Sequence, residues 1–225
     1  MVETSAPGRR ERKKAATRKA IADAALELFI ARGFDAVTIK EVAEQADVSL
    51  ATVYAHFPQK EALVFDEDDE MRAALLVAVR KRPEGLTISR AIHGWLLGVV
   101  EENKEHGGQL ADFHAMVEGA PSLRDYERTM WLRHESALCE AIAADLGHSA
   151  AEPVIQAFAH FALESWSLLD VSADPEATLN AVFSLLEPGW EAFERSAPPR
   201  TGEQPETGTA PPGPLSGEAR PAVRR

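Results

Sequence analysis

Two histidine–glutamate pairs are the residues of this sequence whose types and spacing suit metal chemistry. His114 precedes Glu118 by four residues, and His160 precedes Glu164 by the same interval. On a helix this spacing places both members of a pair on one face, where they could bind a metal. Each pair is more commonly a hydrogen-bonded pair at the protein surface. We therefore predict no metal site and no cofactor.

Other catalytic signals are missing from the sequence. It contains no Gly-rich phosphate loop, no His-Glu-x-x-His motif and no nucleophile elbow. Cys139 falls in the middle of a predicted helix without a clear partner, and the acidic run 67–70 lacks the turn geometry of a calcium loop. That run is interpreted as a solvated helix face. The sequence predicts a protein that is not an enzyme.

Composition narrows the class of protein further. The chain has 225 residues, 45% of them hydrophobic, which suits one large or two small globular domains. Its single cysteine excludes a disulfide framework, and its amino terminus lacks the apolar region of a secretory signal. No apolar run reaches the 18 residues or so of a membrane span. These features predict a cytoplasmic protein with no membrane partner.

The net charge of −12 is unevenly distributed. Residues 1–60 hold ten Lys or Arg against eight Asp or Glu, whereas residues 61–225 hold 14 against 28. Seven of the basic residues lie between Arg9 and Lys19. This pattern predicts a basic arm and a small module followed by an acidic body. The acidic total therefore does not exclude a nucleic acid as partner.

Apolar residues recur at three- and four-residue spacing from about Arg18 to Arg195, which predicts an all-α fold. The last segment holds seven prolines and four glycines in residues 197–225, a composition typical of a disordered tail. The predicted organisation is a disordered basic arm (1–15), a three-helix helix-turn-helix domain (16–62), a larger helical ligand-binding and dimerisation domain (63–195) and a disordered Pro/Gly-rich tail (196–225).

Capping signals set the predicted helix boundaries. A first helix ends at Gly33, and Thr38 with Glu41 forms a capping box for a second, with Val37 and Val42 as its hydrophobic staple. Ser49 caps a third helix in the same way. Pro58 suits the start of a fourth, predicted as a long connecting helix over about 59–79. Later helices are predicted to start at Thr87, Ser122, Ser149 and Asp174.

The second and third helices are separated only by Ala46, Asp47 and Val48, which is the arrangement of a helix-turn-helix. Asp47 occupies the turn position where glycine is most common, and aspartate tolerates the left-handed backbone better than most residues. The third helix would direct six side chains outward toward a major groove. These are Leu50, Ala51, Thr52, Tyr54, Ala55 and His56.

Residues 17–65 resemble the amino-terminal domain of the TetR family of bacterial repressors. The resemblance rests on the segments 17–21, 24–29, 32–34, 38–43 and 48–63, where apolar, capping and aromatic positions all agree. It implies double-stranded DNA as partner, with phosphate contacts from the second helix, the ends of the recognition helix and the fourth helix. Base reading would fall to small or apolar residues that contact thymine methyls. The implied DNA-binding residues are Thr38, Lys40, Ser49, Leu50, Ala51, Thr52, Tyr54, Ala55, His56 and Lys60.

The body fits only the general plan of the family, a helical domain that binds a small-molecule effector and forms a homodimer. Its large apolar residues suit either a packed core or a pocket. The predicted pocket residues are Trp95, Phe113, Met130 and Trp131. The stripes of the last two helices, about 149–172 and 175–195, fit either a core or a four-helix dimer interface.

The function predicted from these features is a repressor that binds a palindromic operator as a dimer and is released by a small apolar or amphipathic ligand. Two alternatives remain at this level. The protein could be an activator or a ligand-independent DNA-binding protein of the same fold. It could also be a helical protein-interaction module whose helix-turn-helix is only structural.

Overall fold

The computed structural model describes residues 8–103, 107–169 and 172–196, and every regular element within those ranges is helical. The predicted all-α fold class is confirmed. None of the described helices is long and apolar enough to cross a bilayer. The helices are α1 (Arg9–Arg32), α2 (Ile39–Gln45), α3 (Leu50–His56), α4 (Asp68–Arg80), α5 (Ile88–Asn103), α6 (Gly107–Gly119), α7 (Pro121–Leu146), α8 (Pro153–Glu164) and α9 (Pro175–Ser196), with 3₁₀ turns at Glu61–Leu63 and Ser165–Leu168.

The chain divides into two compact units. The amino-terminal unit comprises residues up to Glu67 together with 108–126, and the carboxyl-terminal unit comprises 68–107 and 127–196 of the described residues. The division after Glu67 falls five residues beyond the predicted boundary at residue 62. It also assigns α6 and the first turns of α7 to the amino-terminal unit, which the sequence did not predict.

Helix α1 begins earlier than predicted. Its first residue is Arg9, so residues 9–15 are helical rather than part of a disordered arm. Arginine, lysine and alanine are good helix formers, and the Glu11 carboxylate accepts a 2.9 Å hydrogen bond from the backbone nitrogen of Gly8. The cations Arg9, Arg10, Arg12, Lys13 and Lys14 are exposed on these first turns. Residues 1–7 of the predicted arm lie outside the described residues, as do residues 197–225 of the predicted tail.

The segment after α3 also differs from the prediction. Pro58 does not start a helix: the chain bends there, forms one 3₁₀ turn, and α4 begins only at Asp68. The four successive residues Ala62, Leu63, Val64 and Phe65 are all buried. A helix lying on a surface buries one stripe rather than four residues in a row, so this segment cannot continue as the first turns of a connecting helix.

The carboxyl-terminal unit has a core of large apolar side chains from α4, α5, α7, α8 and α9. The stripes of the last two helices, left open between core and dimer interface, lie mainly in this core. Phe158 stacks on Trp190 with ring centroids 4.0 Å apart, and Leu179 and Phe183 are fully buried. Exposed apolar residues remain on other faces of the last helices, namely Val154, Phe161, Leu168 and Leu185.

The predicted helix starts in this unit are largely correct. Thr87 accepts from the backbone nitrogen of Arg90, and Asp174 accepts from that of Ala177. The start predicted at Ser149 is wrong, because α8 begins at Pro153. Proline fits the first turn of a helix because a backbone N–H at that position would have no partner within the helix. Helices α7, α8 and α9 each begin on a proline, Pro121, Pro153 and Pro175.

A buried ionic cluster ties distant parts of the carboxyl-terminal unit together. Arg82 is only 4% exposed, and its guanidinium lies 2.6 Å from the Asp145 carboxylate and 3.5 Å from that of Glu194. It also donates to the carbonyl oxygens of Val79 and Leu86. Burial raises the pKa of Glu194, while the Ile88 N–H and Arg82 act in the opposite direction. The cluster joins the segment after α4 to α7 and α9.

The acidic run 67–70 is only partly the predicted solvated face. Asp68 is mostly buried and bonds to two residues of α7, with 2.9 Å to Arg133 and 2.5 Å to the Nε2 atom of His134. His134 itself is fully buried. Burial lowers the pKa of this histidine, and the neighbouring Asp68 opposes that shift. The carboxylate of Asp68 therefore anchors the first turn of α4 to α7.

Candidate nucleic-acid interface

The amino end of α2 is held by the predicted capping box. The Thr38 hydroxyl accepts from the Glu41 backbone nitrogen at 3.3 Å, and the Glu41 carboxylate accepts from the Thr38 nitrogen at 2.8 Å. Arg32 at the end of α1 adds an ion pair to Glu41 at 2.8 Å. The backbone and hydroxyl hydrogen bonds of Thr38, with Arg32 adding to them, lower the pKa of Glu41 to about 2. The staple residues Val37 and Val42 are both buried.

The turn between α2 and α3 is a Schellman motif. The Val48 N–H donates to the Ala43 carbonyl at 2.9 Å, and the Asp47 N–H donates to the Glu44 carbonyl at 3.2 Å. Asp47 has a φ of +51°, the only positive φ found outside glycine in the described residues. The predicted left-handed turn at Asp47 is thereby confirmed. This turn fixes the angle at which α3 leaves α2.

Helix α3 presents one side to solvent. The Ser49 hydroxyl caps its amino end by accepting from the Thr52 nitrogen at 3.0 Å, and Val53 is fully buried. Leu50 and Tyr54 are 43% and 49% exposed. Ala51 and Ala55 are exposed beside them. The exposed face of α3 is therefore uncharged and mostly apolar.

The other predicted DNA-binding residues lie around this face. Thr38, Lys40 and Ser49 are exposed, although Lys40 pairs with Glu44 at 3.5 Å. Thr52 is half-buried, and its hydroxyl shares a 2.7 Å hydrogen bond with the hydroxyl of Ser49. These side chains lie at the amino ends of α2 and α3.

His56 is the last residue of α3 and is half-buried. Burial lowers its pKa, and the positive charges of Lys14 and Arg18 lower it further. The imidazole is therefore neutral at pH 7. It can offer a hydrogen bond to a phosphate but no net charge.

Lys60 turns toward the interior of the amino-terminal unit. Its ammonium donates to the Phe34 carbonyl at 2.6 Å and lies 4.2 Å from the centroid of the Phe34 ring and 5.5 Å from that of Phe29. Burial lowers its pKa, while nearby carboxylates of Asp35 and Glu61 raise it. This cation links the segment after α3 to the loop that follows α1.

Arg18 was not among the residues predicted from the sequence for this site; it was only grouped with the basic residues between Arg9 and Lys19. The Arg18 guanidinium donates to the carbonyl oxygens of His56 at 2.8 Å and Asp66 at 2.9 Å, and its Cζ atom lies 4.2 Å from the centroid of Phe57. A signal was present: Arg18 precedes the buried residues Ile21 and Ala25 by three and seven positions, which places it on the inward face of α1.

The four predicted effector residues are divided between the two units. In the carboxyl-terminal unit, Trp95 and Trp131 pack against the core, and Met130 is buried. Phe113 is buried in the amino-terminal unit, where its ring lies 5.8 Å from that of Phe65. Trp95, Trp131 and Phe113 therefore have packing contacts within their own units.

The predicted pairing of His160 with Glu164 does not form. Its ring bonds to Glu135 of α7 at 3.0 Å, whereas Glu164 bonds to the Ser167 hydroxyl. Among the described residues no three His, Cys, Asp or Glu side chains come together in a group that could hold a metal ion.

Two short capped helices joined by a Schellman turn, the second with an exposed face, define a helix-turn-helix protein. Residues 21–66 match the family model described as bacterial regulatory proteins, tetR family. The HTH-type transcriptional regulator TcmR of Streptomyces glaucescens is 34% identical over 123 residues, which cover 52% of this chain and 54% of that protein. RutR of Escherichia coli K12 is 30% identical over 119 residues, covering 52% and 56%.

The chain spans about half the length of these curated relatives. The solved structure of Salmonella enterica GusR shares the fold, with a TM-score of 0.54 at 20% identity, and covers 78% of this chain and 96% of that one. Residues 21–66 are therefore similar to the DNA-binding domain of the TetR family, and about half of the chain is similar to named transcriptional regulators. Its relatives are named as regulators rather than enzymes.

Proposed function

We propose that this protein regulates transcription by inserting α3 into the major groove of double-stranded DNA. The single observation that supports this most strongly is the exposed, uncharged face of α3 on a helix whose two ends are both fixed. A surface helix with no partner in its own unit normally carries charged side chains outward. Leu50, Ala51 and Ala55 are instead suited to close contact with base edges and thymine methyls.

The phosphate contacts of the proposal come from both sides of this face. Thr38 and Lys40 would meet one strand from the start of α2, with Ser49 and Thr52 at the start of α3. Tyr54 and His56 would hold the backbone through hydroxyl and imidazole hydrogen bonds. Lys60, the remaining predicted contact, would support the site through Phe34 in the arrangement described above. The exposed cations on the first turns of α1 supply the sequence-independent attraction.

The finer part of the proposal is a homodimer that represses transcription until a small apolar or amphipathic ligand binds. One recognition helix reads too few base pairs to select a genomic site, so two copies on successive major grooves, about 34–36 Å apart, would read a palindrome. The exposed residues Phe161 and Leu185 on α8 and α9 suit the partner surface. A ligand in the carboxyl-terminal unit would shift the dimer toward a spacing that does not fit DNA.

The test of DNA binding uses fluorescence anisotropy with the DNA upstream of the protein's own gene. Ala51→Glu places a carboxylate on the exposed face of α3, and Tyr54→Ala removes its largest side chain. We expect loss of binding for the first and at least about tenfold weaker binding for the second. Ala144→Glu, on an exposed position of α7 in the other unit, is the matched control and should bind as the unchanged protein does.

Binding that survives Ala51→Glu unaltered would exclude α3 as the DNA-reading helix. The dimer is tested separately with Leu185→Glu, because Leu185 is 81% exposed and its replacement leaves the core of the unit untouched. Native mass spectrometry should then detect monomer in place of dimer. Reporter expression in a deletion strain distinguishes a repressor, whose loss raises transcription, from an activator, whose loss lowers it.

A further inference from the structure

The carboxyl end of α3 poses a structural problem. The helix has only seven residues, and helices of this length are not stable in isolation. Its amino end is capped by Ser49, but the last carbonyl groups of any helix lack partners within the helix. The backbone leaves α3 in an extended conformation at Phe57, so no glycine motif closes this end.

Arg18 supplies the missing closure. One guanidinium nitrogen donates to the carbonyl of His56, the last residue of α3, and the other donates to the carbonyl of Asp66 ahead of α4. The guanidinium plane also lies over the Phe57 ring, whose side chain is 1% exposed. One side chain of α1 therefore joins the end of the recognition helix to the segment that follows it.

The charge of Arg18 adds to this geometry. The carboxyl end of a helix carries partial negative charge on its free carbonyls, and a cation there is favourable. Hydrogen bonds from a guanidinium to carbonyl oxygens are stronger than those between neutral groups. Both terminal nitrogens of the guanidinium are bonded to backbone carbonyls, and the group contacts an aromatic ring. Arg18 is half-buried and directed toward the interior of the unit.

We propose that Arg18 is a positioning residue for DNA recognition, which fixes the carboxyl end of α3 and makes no phosphate contact of its own. This inference rests on the proposed DNA-binding function. It separates the basic residues of α1 into two kinds. Lys14, one turn earlier and exposed, belongs to the electrostatic surface, whereas Arg18 acts only through α3.

The salt dependence of binding distinguishes these roles. Each phosphate that a protein neutralises makes the slope of log K against log salt concentration on duplex DNA more negative by about 0.9. Arg18→Met should weaken binding to the upstream DNA by about tenfold or more, with little change on an unrelated duplex and an unchanged slope. Lys14→Met should weaken binding to both duplexes alike and make the slope less negative by about one unit.

Hydrogen exchange provides a readout that does not depend on DNA. In Arg18→Met the amides at the end of α3, including that of Phe57, should exchange faster, while amides near Ala25 and Phe29 in α1 report whether the unit remains folded. Arg18→Lys keeps the charge and one donor direction, so its exchange and affinity should be intermediate. This conservative variant remains informative if the methionine variant unfolds.

The results separate the possible failures. A slope less negative by about one unit in Arg18→Met, with equal losses on both duplexes, would make Arg18 a phosphate contact and overturn the inference. Unchanged affinity and unchanged exchange would also overturn it. If the unchanged protein binds no DNA, the proposed function fails, whereas faster exchange at α3 would still show that Arg18 positions the helix.

Discussion

The helix-turn-helix and the carboxyl-terminal unit are stabilised by contacts over very different distances along the chain. In the amino-terminal unit the helix-turn-helix is defined by contacts three to five residues apart, such as Thr38 with Glu41 and Ala43 with Val48. In the carboxyl-terminal unit Arg82 reaches Asp145, 63 positions away, and the Ile88 nitrogen reaches Glu194, 106 positions away. Removing a contact of the first kind should destabilise only the neighbouring turns. Removing one of the second kind should lower the stability of the whole unit.

The largest effect is expected at Arg82. Arg82→Met leaves the carboxylates of Asp145 and Glu194 buried without their cation, which should lower the free energy of unfolding by about 3–5 kcal/mol. Urea unfolding followed by tryptophan fluorescence measures it, because Trp95, Trp131, Trp166 and Trp190, the four tryptophans of the sequence, all lie in the carboxyl-terminal unit.

The matched control for that substitution is Arg90→Met. Arg90 also reaches α9, through Glu187 and Glu191, but its side chain is 59% exposed. Solvent screens such a pair, so the loss of stability should be much smaller than that in Arg82→Met. Equal losses for the two variants would mean that burial of the ionic cluster does not determine its contribution.

The next effect is expected in the turn of the helix-turn-helix. Asp47→Ala keeps a Cβ at a φ of +51° but removes the side chain that can form local hydrogen bonds there, at a cost of about 1 kcal/mol. Asp47→Gly removes the steric cost in the folded state but increases the conformational freedom of the unfolded chain. It should therefore change the free energy of unfolding by less than Asp47→Ala does. Hydrogen exchange of the α2 and α3 amides measures both. A loss in Asp47→Ala as large as that in Arg82→Met would contradict the contrast between the units.

A smaller effect is expected at the amino cap of α3. Ser49→Ala removes the acceptor of the Thr52 N–H and should cost about 1 kcal/mol, measured by the same exchange experiment. Ser49→Asp keeps an acceptor at this position and serves as the control. Tryptophan fluorescence unfolding should be the same in both variants, since the change is confined to the other unit. A shift there would show that the two units unfold together.

The smallest and most local effect concerns pH at Glu41. Its folded-state pKa of about 2 lies below its ordinary value of 4.5, so its stabilising contribution is complete above pH 4.5 and is lost as the pH falls toward 2. Carbon NMR titration of the carboxyl group measures the pKa directly. Thr38→Ala and Arg32→Met should each raise it only in part, because the hydrogen bond from the Thr38 backbone nitrogen, the largest cause, remains in both variants. A pKa restored to 4.5 in either variant would show that this backbone hydrogen bond is not the main cause.

The same contrast explains how much the sequence could predict. The capping box, the Ser49 cap and the left-handed turn at Asp47 were predicted correctly because each depends on a few neighbouring residues. The start of α1 was missed since basic residues in a helix and in a disordered arm have the same composition. The fourth helix was predicted too early because the four successive buried residues after Lys60 depend on packing by other elements.

Charged residues of the carboxyl-terminal unit were the least predictable. Asp68 lies in an acidic run that looks solvated, and nothing local shows that Arg133 and His134 will meet it. Arg82 likewise stands in a polar stretch before Pro83 and Gly85. Such pairs form only when distant helices come together, so a single sequence holds no periodic signal for them. Arg18 is intermediate, since its helical register alone placed it on the buried face of α1.

The exposed face of α3 has a consequence for the sequence of the proposed operator. Side chains such as Leu50 and Ala51 cannot form hydrogen bonds with the bases, so sequence specificity would come from their contacts with the methyl groups of thymines. Replacing dT by deoxyuridine would remove one such methyl group at a time, at roughly 0.8 kcal/mol for each methyl contact. Methylation of cytosine at carbon 5 would add a methyl group at the same ring position of a different base. The affinity of an apolar recognition helix for its DNA therefore depends on these methyl groups, whereas that of an arginine-based helix does not.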